Sequence, residues 1–177
     1  MLLIIVLCSV ASLSWADARI ALPNQLVPPT PIQGNTGKFA SPYTTDGVLA
    51  DWVDKAIDIK IGTQIGGLVG AELANQVIDE FTFVGSIIGK KVGDSLGAKA
   101  AMKAIGGEEY IKSTSDLSFD NVEEMAVYLY AKHASHKHYK AALEATIVVY
   151  PELAEAYYDA IVKASDAAFS FEIDLSD

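Results

Sequence analysis

Seven glycines fall on two helical stripes: Gly62, Gly66 and Gly70 recur every four residues, and so do Gly85, Gly89, Gly93 and Gly97. On a helix this spacing puts each set on one face, beside Ile61, Ile65, Val69 and Leu73 in the first case and Ile88, Val92 and Leu96 in the second. A glycine inside a helix costs about 1 kcal/mol relative to alanine. Together the stripes cost about 7 kcal/mol, against a whole-domain stability of about 5 to 15 kcal/mol. The physical compensation is close backbone approach, which brings van der Waals and Cα–H to carbonyl contacts along the groove. The spacing therefore predicts helices whose glycine faces meet. Residues 79–83 contain neither Gly nor Pro, so a hairpin and one long helix both fit, and the long helix would need a partner chain, which predicts a homo-oligomer.

In this stretch, about residues 59–105, the chain resembles the glycine-zipper proteins, exported or membrane-associated bacterial proteins with repeated GxxxGxxxG in paired helices. The resemblance implies tight helix pairing and envelope association, and no catalytic chemistry. A lone membrane span through residues 85–105 is excluded by magnitude. It would place Lys90, Lys91, Asp94 and Lys99 in hydrocarbon at roughly 2.5 to 3.5 kcal/mol each near its centre, while Ile87, Ile88, Val92 and Leu96 return only about 0.3 to 0.6 each. A water-soluble hairpin is the expectation; a helix lying on a membrane surface and an oligomeric pore stay open.

Residues 2–13 form an apolar run the length of a secretory core, followed by Ser14, Trp15, Ala16, Asp17 and Ala18, which suit cleavage before Asp17 or before Arg19. Residues 1–18 read as a signal peptide, although no Lys or Arg precedes the run. An uncleaved anchor is the weaker reading, because a span needs about 20 apolar residues. The single cysteine, Cys8, leaves with the leader, so the mature chain has no disulfide and depends on packing. The expected location is the periplasm, cell envelope or extracellular space. A net charge of −10 argues against nucleic acid as a partner.

Residues 19–45 hold five of the six prolines, with Gly34 and Gly37 among them, and predict a disordered tether. Helical periodicity begins at Asp46, a candidate cap, with Leu49, Trp52, Val53, Ala56 and Ile57 on one stripe. A second helix is predicted from about Val84 to Ile105, stopped by Gly106 and Gly107. The zipper hairpin thus occupies residues 46–107 and a helical region residues 108–168. In the latter, Asp120 and Glu123 suggest a capping box opening a helix near Asn121, and Pro151 suits the first turn of the last helix. The fold class is all-α: a zipper hairpin plus a C-terminal bundle of two or three helices. In the acidic tail, residues 169–177, Phe169, Phe171, Ile173 and Leu175 alternate with polar residues. That pattern fits a frayed helix end or a strand that adds to a partner's sheet.

All three histidines, His133, His136 and His138, lie in one hexapeptide. On an unbroken helix His133 and His136 would sit three apart and could chelate zinc, nickel or copper with His138 or a carboxylate, or sense pH. The stronger reading is a polar turn joining a helix ending near Lys132 to one starting near His138, with no metal. Residues 139–157 resemble the boundary between two tetratricopeptide repeats, which implies helix-turn-helix chemistry, but an array needs about three units. The last helix carries Ala156, Ala160, Ala164 and Ala168 as a small-residue ridge. There is no GxSxG, HExxH or phosphate-binding GxxxxGK[ST], and the paired acids Asp79-Glu80, Glu108-Glu109 and Glu123-Glu124 read as caps or solvated faces. The sequence predicts a non-enzymatic exported protein without a cofactor, associating with itself or an envelope partner. The alternatives are a membrane-active protein and a small metal-binding or adaptor module.

Overall fold

The computed structural model describes residues 19–58 and 95–174. The leader, most of the glycine stripes and the last three residues lie outside the described residues. The chain is mostly helical, with α1 Asp51–Asp58, α2 Ser95–Ile105, α3 Glu108–Ser113, α4 Val122–His133, α5 Tyr139–Val149 and α6 Glu152–Asp174. This agrees with a mainly helical class, to which the structure adds a small antiparallel sheet. Strand β3 (Leu117–Phe119) runs between β1 (Ile32–Gln33) and β2 (Phe39–Ala40), with Ile32 opposite Ser118 and Phe39 opposite Phe119.

The proline-rich stretch is not a tether. Ala21, Leu26, Phe39, Ala40 and Tyr43 are buried in the same core as the helices. Prolines hold the backbone extended, as a tether requires, but an extended backbone also suits short strands and a strap laid across helices. Long-range hydrogen bonds fasten this strap. The Ala21 N–H donates to Ser165 Oγ at 2.9 Å, and Tyr130 Oη donates to the Ala21 carbonyl at 3.1 Å. Tyr150 Oη accepts from the Ala40 N–H at 3.1 Å. The Ser118 hydroxyl, fully buried in β3, donates to the Gly34 carbonyl and accepts from the Gly37 N–H. Gly37 is needed for closeness: a Cβ there would lie 2.9 Å from the Phe119 backbone, which has no room to retreat.

Asp46 does not cap α1. It falls in a turn in which the Thr44 N–H donates to the Val48 carbonyl and Gly47 takes a φ of 76°, and the helix begins at Asp51. The Asp116 carboxylate holds this turn by accepting from the Thr45 N–H at 2.9 Å. The apolar stripe lands inward as its period requires, with Trp52, Val53 and Ala56 buried and Ile57 half-buried. α2 stops at Gly106 and Gly107, whose φ values of 137° and 91° suit glycine.

The C-terminal region holds four helices instead of two or three, since the polar stretch after Gly107 contains α3 and then β3. The cap of α4 is Asn121, whose side-chain oxygen accepts from the Glu123 N–H at 2.7 Å, while Asp120 accepts from the Lys38 N–H. α4 packs along α6, and α1 and α2 lie together against α5. The alternating tail is not a strand: α6 continues through it to Asp174. Phe169 packs on the core, and the Arg19 guanidinium sits 4.6 Å from its ring centre. Among the described residues, no helix is long and apolar enough to cross a membrane.

Candidate functional site

Of the zipper glycines, Gly62, Gly66, Gly70, Gly85, Gly89 and Gly93 lie outside the described residues, and Gly97 lies within α2. The two helices flanking the undescribed stretch are informative. The described part of α1 runs to Asp58 and that of α2 starts at Ser95, and the two contact each other and α5. The described residues on either side of this stretch therefore lie in neighbouring helices.

The histidines are parted by a tight turn. The Ala134 N–H donates to the Tyr130 carbonyl, closing α4, and the His136 N–H and Tyr139 N–H donate to the His133 and His136 carbonyls. His133 is buried, His136 half-buried and His138 exposed. The His133 ring stacks face to face on Tyr43, with centroids 3.9 Å apart and planes within 5°, while Tyr128 meets it edge-on at 5.6 Å. His136 approaches Tyr43 edge-on at 5.3 Å. Among the described residues, no group of three or more His, Cys, Asp or Glu is placed to hold a metal ion.

The stack leaves His133 Nε2 and Tyr43 Oη buried with no hydrogen-bond partner. Burial, then the neighbouring His136 and Lys132, push the His133 imidazole down to about 4, so it is neutral near pH 7. Burial also raises Tyr43 above the ordinary phenol range. A neutral imidazole against an un-ionised phenol offers neither a strong base nor a nucleophile. The stack therefore reads as a packed joint between the N-terminal strap and the end of α4. Glu144 on α5 is a second buried titratable group, raised to about 7 by burial.

A groove of about 860 Å³ lies between the strap, the start of α4 and one face of α6. Its floor is apolar, with Leu26 and Val127 below and the ridge of Ala156, Ala160, Ala164 and Ala168 along one wall. Glu123, Glu124, Glu152, Glu155 and Asp159 stand around it, with Lys163 as the one base among the lining residues. Read singly, these acids are first-turn residues of α4 and α6 that suit the helix dipoles. Asp159 is not, lying two turns into α6. That they share a groove with the alanine ridge was not visible in the sequence, because the strap completing the groove looked like a linker.

Comparison with known proteins gives no relative: no protein-family model, curated protein or solved structure matches the chain.

Proposed function

We propose that this is an exported, non-enzymatic protein of the cell envelope whose glycine-zipper segment, from Gly62 to Gly97, forms a helical hairpin that associates with a second copy or an envelope partner. The observation that carries the reading is the pair of four-residue glycine stripes, whose helical cost of about 7 kcal/mol demands close helix contact. The adjacency of α1 and α2 supports a hairpin over one long helix, since a single helix would carry its two ends far apart. The apolar run of residues 2–13 supports export. The remainder of the chain acts as the folded base from which the association element extends.

Bulk on the stripes is the test. With Gly66→Leu and Gly89→Leu combined, the mass in solution by sedimentation should fall from oligomer to monomer while the helices of the base keep their circular dichroism. An unchanged oligomer, or a wild-type protein that is already monomeric, would sink the proposal.

A further inference from the structure

We infer that the groove between the strap, α4 and α6 is a docking site for a cationic amphipathic helix of another protein. The inference stands apart from the zipper and uses only the described residues. Three observations converge on it.

The first is shape. The alanine ridge repeats every four residues along α6, and from Ala156 to Ala168 it runs about 18 Å at 1.5 Å per residue. A wall of small side chains lets a second helix axis approach closely, and this length suits about three turns of it.

The second is the exposed apolar surface. Val27, on the strap lip of the groove, is 89% exposed, the highest value among the exposed large hydrophobics of the described residues. The floor below it is Leu26 and Val127. Leu26 and Val127 are already buried, so a hydrophobic stripe laid in the groove would cover Val27 above all.

The third is charge. Five carboxylates and one ammonium line the groove, a net −4. Glu152 faces Lys38 at 3.9 Å, but among the described residues Glu123, Glu124, Glu155 and Asp159 have no ion-pair partner. Carboxylates flanking an apolar floor are complementary to a helix with an apolar stripe bordered by Lys or Arg. The same charges repel the anionic headgroups of a membrane surface. A second copy is a poor occupant: the chain carries a net charge of −10, and Lys99 and Lys103 of α2 are exposed on the side away from its buried Ala101 and Ile105.

The probes are two synthetic 18-residue helical peptides sharing a Leu/Ala stripe, one flanked by lysines and the other by glutamates. Binding to the purified full chain is read by fluorescence anisotropy at low and high salt. The lysine peptide should bind at least tenfold more tightly than its glutamate twin, and weaken as salt rises. The exposed pair Glu155→Lys and Asp159→Lys should invert the preference at an unchanged melting temperature. If that pair disturbs folding, Glu155→Gln with Asp159→Asn should still erase the preference. Equal binding of the two peptides, or a preference indifferent to both variant pairs, would overturn the inference. So would a protein whose own mass, without peptide, changes with the Glu155 and Asp159 substitutions, because the groove would then belong to a second copy.

Discussion

Trp52→Ala should lower the stability of the domain by about 4 kcal/mol, enough to leave a typical domain close to unfolding at room temperature. Trp52 is fully buried in the first turn of α1. Its indole N–H donates to Ser115 Oγ at 3.0 Å and lies 3.4 Å from the Ser41 carbonyl, while Ser115 Oγ donates to that same carbonyl at 3.0 Å. One side chain thus joins the strap, α1 and the segment leading into β3. Removing it leaves a large cavity and frees three segments from one another. Trp52→Phe should cost much less, about 1 to 2 kcal/mol, since the Ser115–Ser41 hydrogen bond survives and only the indole N–H and part of the volume are lost. Denaturant midpoints followed by circular dichroism check both values. Equal losses for the two variants would mean that the indole hydrogen bonds, and not the packing, hold the joint.

The second large effect is a pH dependence that the wild-type protein conceals. His133, depressed to about 4, takes up no proton in the folded chain while the unfolded chain protonates it near 6.5. The stability tied to it is therefore intact above pH 6.5 and is lost as pH falls toward 4. Glu144, raised to about 7 from an ordinary 4.5, behaves in the opposite sense. Its burial costs nothing below pH 4.5, and the cost grows as pH rises toward 7. Each effect amounts to about 3 kcal/mol when fully developed. The two slopes oppose each other over the same interval, so their sum is nearly level between pH 4 and pH 7. His133→Phe keeps a ring against Tyr43 and removes the acid-side loss, so relative to wild type it should gain about 3 kcal/mol on going from pH 7 to pH 4. Glu144→Gln should gain about the same amount in the other direction, from pH 4 to pH 7. Urea midpoints at pH 4, 5.5 and 7 report this directly. Parallel stability curves for wild type and both variants would show that neither group is held away from its ordinary titration range.

Helix ends were legible where a local signal makes them. Gly106 and Gly107 stop α2, the histidine turn separates α4 from α5, and Pro151 precedes α6, each for reasons contained within a few residues. The sheet was not legible, because strands of two and three residues are too short to show a period, and β1 and β2 find their partner β3 about eighty residues away. The strap was misread for a related reason. Its prolines state that the backbone is extended, but Ser118, Tyr150 and Ser165, which hold it against the helices, lie far along the chain. The period-two tail left two readings open, and the helix end is the one the structure shows. From Phe169 to Ile173 the alternating residues lie on a long helix already anchored by Leu153, Tyr157 and Ile161, and helix propagation costs little once a helix is docked. The glycine stripes were legible as a pattern in the sequence, and all of them but Gly97 lie outside the described residues. The groove was not legible, because its acids belong to two helices and its lip to the strap.

The central claim is a division of labour: a folded base built from residues on both sides of the zipper, and a zipper segment that carries association. It is tested most directly by replacing residues 59–94 with a flexible linker of about twelve residues joining the adjacent helices α1 and α2. Sedimentation and thermal melting of the shortened chain are then compared with the full chain. The account predicts an oligomeric full chain and a monomeric shortened chain that keeps a cooperative melt at a similar temperature. A shortened chain that is unfolded, or that assembles as the full chain does, would contradict it.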